Sequence, residues 1–253
     1  MDFGLNGKVA LVTGTASQVG MGKAICLTLA KEGCDIISAD IDLEGAKKTA
    51  DAVKAQGGKA IALKVNIAKP AEVEEMVKAA VKEYKKIDIL VNTAGLIAAL
   101  GTPFIDSKQE SWEKDMAVNL YGAMNCAKAV LPGMVARQYG KIINFSSVAA
   151  KVGGLGSYSA AKAGISSITR GLATEFGPSG ININAIAPGV VATNLFAAIG
   201  AGADESYKAL AARTPMRRVQ SVDDMANAVA FLASDVSKNI TGQTIQIDGG
   251  QVL

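Results

Sequence analysis

The 253-residue sequence contains no histidine. That absence removes Ser-His-Asp and Cys-His nucleophilic catalysis and most zinc sites. Proton transfer is left to Tyr, Lys, Asp, Glu or Cys. Cysteine is scarce as well: Cys26, Cys34 and Cys126 are scattered, apolar in setting and without a CxxC pair, which reads as free thiols in a reducing compartment. No apolar run approaches the ~18 residues of a membrane span. The N-terminal MDFGLNGK has neither a signal-peptide core nor the Arg-rich character of a transit peptide. Net charge is only +3, with acids and bases interspersed and no basic–aromatic platform, so nucleic acid is not an expected partner. The expectation is a cytoplasmic protein that engages neither membrane nor nucleic acid.

Aliphatic residues dominate instead. Hydrophobic residues make up 49% and aromatics only 5%, a composition suited to a parallel sheet covered by helices. Strand-like runs at 9–13, 35–39, 59–65, 87–92, 141–146, 181–187 and 243–248 alternate with helical patterns at 21–32, 42–56, 70–85, 107–138, 156–176 and 222–234. In the third helix Val73, Met76, Val77, Ala80 and Val81 form one apolar stripe. No linker interrupts the alternation. It predicts an α/β fold: one domain over 1–253, a doubly wound parallel sheet of about seven strands with helices on both faces. Ligands of such sheets bind outside the carboxyl ends of the strands. The segment 188–216 is Ala/Gly-rich, lacks clear elements and follows a strand end, which suggests a lid over the ligand.

Chemistry-bearing residues fall at the expected strand ends. TGTASQVGMG (13–22) links the first strand to a helix whose N-terminus directs free N–H groups at the turn, so a phosphate reading is favoured over a plain loop. Gly14, Gly20 and Gly22 do not follow the G-x-G-x-x-G spacing. Asp40 ends the second strand, where an acid accepts ribose hydroxyls and repels a 2′-phosphate. Asp42 serves better as the next helix cap, leaving Asp40 free. Lys23 follows the turn and is expected to point along its helix. Tyr158 and Lys162 stand four apart on a helix, so the ammonium is expected to stabilise phenolate and lower the tyrosine pKa. The strand 141–146 runs into two hydroxyls, Ser146 and Ser147.

In this order the motifs resemble the short-chain dehydrogenase/reductases over essentially the whole chain: TG…GMG, Asp40, NTAG (92–95), VNLYG around Asn119, FSS (145–147), YSAAK (158–162), INAIAPG (183–189) with Thr193, and ITGQTIQIDGG (240–250). The resemblance implies a Rossmann-type sheet, a nicotinamide cofactor and a homotetramer. It assigns Tyr158 as acid/base, Lys162 to the nicotinamide ribose and the tyrosine pKa, Ser147 to substrate orientation and Asn119 to a water relay. Cofactor contacts are implied for Gly14, Gln18, Gly20, Met21, Asp40, Asn66 and Ile67 on the adenosine–pyrophosphate side. Asn92, Ala94, Gly95, Tyr158, Lys162, Pro188, Gly189, Val191 and Thr193 would serve the nicotinamide side. The turn is two residues longer than the family's. Asn66 stands where an acid is common, Thr93 where Asn is more usual. The connection from Ser147 to Tyr158 is about two residues short, so Ser146 is the alternative serine.

The expected activity is interconversion of a secondary alcohol and a ketone with NAD, the cofactor suggested by Asp40. The small-molecule substrate would contact Ser147, Val148, Leu155, Tyr158, Leu96 and Leu195, with Ile97, Val152 and Phe196 nearby, an apolar set. The alternative is a 3-oxoacyl thioester reductase using acyl carrier protein and NADPH. It would present basic residues at the site mouth, where Thr174, Arg137 and Lys128 come closest.

Overall fold

Short β-branched runs form the strands. They are Val9–Thr13 (β1), Asp35–Asp40 (β2), Ala60–Lys64 (β3), Ile89–Asn92 (β4), Gly140–Phe145 (β5), Ile181–Pro188 (β6) and Thr244–Ile247 (β7). The computed structural model describes residues 2–193 and 203–253. In it the strands form one sheet ordered β3-β2-β1-β4-β5-β6-β7, with every neighbouring pair parallel. The order reverses beside β1, which opens the crevice where such sheets take ligands.

Period-2 alternation sorts the strand residues between two cores. Ala10 and Val12 of β1, with Ile89 and Val91 of β4, face α1 (Met21–Lys31), α2 (Leu43–Ala55) and α9 (Val222–Ala233). Val9, Leu11 and Leu90 face the opposite way, onto α3 (Pro70–Tyr84), α5 (Ala123–Arg137) and α7 (Gly156–Phe176). Both layers are covered, so the strands are rich in Val and Ile, and polar strand residues such as Ser38, Asn92 and Asn144 are buried and hydrogen bonded. The free thiols of Cys26, Cys34 and Cys126 lie in this packing, where burial raises each above its ordinary value. Among the described residues no helix is long and apolar enough to cross a membrane.

Three expectations change. The helix expected over 107–138 is divided into α4 (Gln109–Met116), a π-helical segment Ala117–Gly122, and α5. The wide turn carries Asn119, and such insertions are frequent at functional sites. In α3, Val73, Met76 and Ala80 are buried but Val81 is 40% exposed, because the stripe expected there is wider than the face the sheet covers. The segment 188–216 is not structureless: Ala203–Arg213 forms α8, while 194–202 lies outside the described residues. A short helix, Ala149–Val152 (α6), links β5 to α7.

The α1 start is set by a backbone contact. Gly22 faces Gly14, and a Cβ at Gly22 would overlap the Gly14 carbonyl oxygen. That oxygen is main chain and has no rotamer to escape into. Gly22→Ala is therefore expected to lower stability by roughly 2 kcal/mol or more, read as a drop in urea midpoint at unchanged slope. An unchanged midpoint would show that the helix slides freely over the turn.

Candidate active site

The turn after β1 is held by β2. Gly14 donates its N–H to Ala39 O at 2.9 Å, the Thr15 hydroxyl lies 2.8 Å from Ser38 Oγ, and Ala16 donates to Asp40 Oδ2 at 2.9 Å. Gly14 has φ +73, and a Cβ there would come within 2.6 Å of Ala94 Cα, so the turn and the NTAG segment touch directly. The longer loop folds away onto α2. Gln18 Nε2 donates to Ala16 O and Gly45 O, and a Cβ at Gly45 would meet Ala16. Lys23 folds back to donate to Gln18 Oε1 at 3.0 Å instead of pointing along α1. Gln18 thus bridges the two helices, its Nε2 turned to α2 and its Oε1 to Lys23 of α1.

Whether these residues suit a dinucleotide is tested at the α1 start. Its N-cap is Gly20, which makes no side-chain cap, and its first turn holds no acid. By contrast α2 is capped by Asp42, which accepts from Glu44 and Gly45, and α9 by a Ser221–Asp224 capping box. The Gly20 N–H turns back to Ser17 O at 3.1 Å, and the N–H groups of the first helical residues, Met21 and Gly22, are left for an anion with no acid in that turn to oppose it. Asp42 takes the cap role expected of it, but Asp40 is not free. Its two oxygens accept from Ala16 and Asp42 N–H groups. Each oxygen has a second lone pair, so room for ribose hydroxyls remains. Asn66 closes a local turn through Oδ1 to Ala68 N–H. Ile67 is buried against Gly122, and its carbonyl accepts from Asn125.

Beyond β4 and β5 lie the groups able to handle a proton. Ser147 is hydrogen bonded to the Tyr158 hydroxyl and also accepts from Ala149 N–H. Ser146 is 3% exposed and engaged by Lys162 O and Ser166 Oγ, so Ser147 is the serine that faces the tyrosine. Lys162, 4% exposed, donates to Phe145 O at 2.8 Å, and its Nζ lies 5.6 Å from the Tyr158 ring centre. A Cβ at Gly95 would meet Asn119 Oδ1 and approach Lys162 Nζ. Asn119 holds Leu96 through both backbone groups, donating to its carbonyl and accepting from its N–H.

The electrostatics differ from the expectation. Burial raises the Tyr158 phenol above its ordinary value; the Ser147 bond pulls it down and the Asp115 charge pushes it up. Lys162 is itself pressed towards neutrality by desolvation, its amine lowered to about 8.

The other residues singled out are distributed as follows. Asn92 is buried and bonded to Asn144 Oδ1, with its own Oδ1 unpartnered. Ala94 donates its N–H to Thr13 Oγ1. Pro188 O accepts from Val148 N–H and Gly189 donates to Ile247 O. Val191 bridges to Gln220, and Thr193 is bonded at N–H and C=O to the Tyr207 hydroxyl. Leu96 and Leu155 are partly exposed beside this edge and Val148 is buried. Leu195 and Phe196 lie outside the described residues. Arg137 is not at the mouth: it donates to Ile87 O at the opposite edge of the sheet. Asp115, 1% exposed, was missed by motif reasoning. Its one signal in the sequence is an acid four residues, about one helical turn, before Asn119; its neighbours Glu113 and Lys114 make it look like part of a solvated helix.

An oxidoreductase working with a nicotinamide dinucleotide is the class of protein that this sheet edge defines. The chain belongs to the short-chain dehydrogenase/reductase family: residues 14–251 match the family model described as enoyl-(acyl carrier protein) reductase. It is 37% identical over 252 residues to the 3-oxoacyl-[acyl-carrier-protein] reductase FabG of Staphylococcus epidermidis, covering 97% of this chain and 99% of the relative. It is 37% identical over 253 residues to the (2S)-[(R)-hydroxy(phenyl)methyl]succinyl-CoA dehydrogenase subunit BbsD of Thauera aromatica, covering 99% of each. The solved structure of a putative short-chain alcohol dehydrogenase from Sinorhizobium meliloti 1021 superposes with a TM-score of 0.92 at 33% identity, covering 99% of this chain and 98% of that one.

The buried amine of Lys162 has a measurable consequence. Its pKa falls from 10.5 to about 8 on folding. Between those values the unfolded chain binds more protons than the folded one, so this group's contribution to stability rises with pH across the window. The full penalty applies below it. Lys162→Met is expected to stabilise the protein by about 1–3 kcal/mol at pH 7, with the gain fading as pH rises through the window. Parallel stability curves for the two proteins in urea from pH 7 to 10.5 would contradict this.

Proposed function

We propose that the chain interconverts a 3-oxoacyl and a 3-hydroxyacyl group carried as a thioester, using NAD(H). The observation that carries the chemistry is the convergence of Ser147, Tyr158 and Lys162 beside the glycine-lined turn. The thioester class is supported by the relatives, whose names describe acyl groups on acyl carrier protein or on coenzyme A. They favour this reading over a simple secondary alcohol.

In reduction, Ser147 and Tyr158 both donate hydrogen bonds to the carbonyl oxygen, polarising it, and Tyr158 then gives up its proton to the developing alkoxide. A bound nicotinamide supplies the hydride to the carbonyl carbon. Lys162 holds the ribose beside Tyr158 and stabilises the phenolate left behind, which regains a proton from solvent. Oxidation runs the same steps backwards, with phenolate as base. Met21 and Gly22 would present N–H groups to the pyrophosphate, and Asp40 would accept from the adenosine ribose. Leu96, Val148 and Leu155 border the acyl group. Leu155 also lines a cavity of about 500 Å³, together with Phe104, Trp112 and Ser157 among others.

Reduction of acetoacetyl-CoA, followed by loss of NADH absorbance, tests the reading. Faster turnover of crotonyl-CoA would replace it with enoyl reduction. Tyr158→Phe keeps the ring and removes the hydroxyl, so NADH binding should persist while turnover falls by roughly 10²–10⁴. Near-normal turnover would refute the tyrosine's role.

Cofactor choice rests on Asp40, whose charge opposes a 2′-phosphate. NADH is expected to exceed NADPH at least tenfold in kcat/KM, about 1.4 kcal/mol, and Asp40→Ala to narrow the gap. Equal use of both would refute it.

We infer a homotetramer from the outer faces of α5 and α7. Met124, Leu131, Val135, Ile168, Leu172 and Phe176 line a mainly apolar cavity of about 620 Å³ between these helices. Light scattering at micromolar concentration should give four times the chain mass; a monomer would overturn the inference.

A further inference from the structure

Asp115 is a carboxylate in the last turn of α4, 1% exposed. Among the described residues two donors hold it and no cation pairs with it: Ala98 N–H reaches Oδ1 at 2.9 Å and the Ser157 hydroxyl reaches Oδ2 at 2.7 Å. A buried charge without a counter-ion is unfavourable unless its hydrogen bonds are well made. Here they span three separate pieces of the site. Ala98 belongs to the loop after β4, which Asn119 also grips at Leu96. Asn119 lies four residues after Asp115 and donates to its carbonyl at 3.0 Å. Ser157 directly precedes Tyr158 in α7. One carboxylate therefore ties the loop bordering the substrate to the turn carrying the tyrosine.

We propose that Asp115 is a positioning residue for this reaction: it fixes the loop after β4 against the start of α7 and brings a negative charge to the tyrosine's side of the site. The proposal rests on Tyr158 being the acid/base. The charged groups around the tyrosine are few. From α7 Lys162 approaches the ring. From the β5–α6 corner comes the neutral Ser147 hydroxyl. Lys151 of α6 is bonded to Gln246, Glu113 of α4 to Gln109, and residues 93–103 contain no titratable side chain. Among the described residues Asp115 is the charged group that acts on the phenol. It acts with burial, the larger cause, to hold the phenol up. The result suits carbonyl reduction, since Tyr158 remains a proton donor to higher pH.

Asp115→Asn keeps the shape and one acceptor but removes the charge, whereas Ser157→Ala keeps the charge and removes one tether. The first readout is the tyrosinate absorbance titration of the protein alone, with Tyr158→Phe subtracted to isolate the Tyr158 transition. In Asp115→Asn this transition should move to lower pH, and the alkaline limb of the reduction rate should move with it. In Ser157→Ala the transition should stay, while KM for acetoacetyl-CoA rises several-fold more than kcat falls. An unmoved transition in Asp115→Asn, or the same displacement in Ser157→Ala, would overturn the charge effect. An unchanged KM in Ser157→Ala would overturn the tether, and that arm stands even if Asp115→Asn fails to fold. Turnover retained in Tyr158→Phe would refute the acid/base reading itself. An inactive Tyr158→Phe with an unmoved Asp115→Asn titration removes only the role of Asp115.

Discussion

A parallel sheet sends every strand end to the same edge, and the site depends on that constraint. β1, β2, β4, β5 and β6 deliver Thr13, Asp40, Asn92, Phe145 and Pro188 there. Peptide groups at strand ends lack ladder partners, and helices beginning there direct free N–H groups outward. The chain satisfies the excess with its own loops: Gly14, Thr15 and Ala16 are pinned in succession to the end of β2. What remains unsatisfied, at the uncapped start of α1, is where an anion fits. Close backbone approach makes this possible, and glycine makes the approach possible at Gly14 and Gly22.

With no histidine available, the same edge manages protons through burial. Lys162 is desolvated and Tyr158 is half-buried, so each is pushed towards its neutral form. The Tyr–Lys pair is therefore a desolvated couple whose protonation is sensitive to whatever charge is placed nearby. A bound dinucleotide, a serine hydroxyl and a buried carboxylate are inputs to that balance. Asp115 matters because it reaches the balance from an element, α4, that carries no recognised motif.

Membership of the short-chain dehydrogenase/reductase family makes the chain an oxidoreductase of CH–OH or keto groups. The residues bordering the edge are consistent with that chemistry. Leu96, Val148 and Leu155 offer apolar contact, and Phe104 stacks on Trp112 at 5.3 Å between ring centres at the rim. None of these groups is shaped to bind the many hydroxyls of a sugar.

Sequence alone determined the elements and much of the site's residue list. Period-2 and period-3.6 patterns are written over a few consecutive residues, so β1 and α7 fall where the patterns put them, and a local cap such as Asp42 is legible for the same reason. The four-residue spacing of Tyr158 and Lys162 likewise places them on one helical face. Tertiary structure decided what these residues experience. Asp40 was legible as a strand-end acid, but its grip on Ala16 crosses 24 positions. The serine facing Tyr158 became distinct from its neighbour only when α7 packed on β5 and engaged Ser146. Asp115 meets Ser157 across 42 positions. Burial and charge proximity are sums over such distant contacts. A short window of sequence therefore fixes which groups are present, while packing alone fixes the protonation states in which they work.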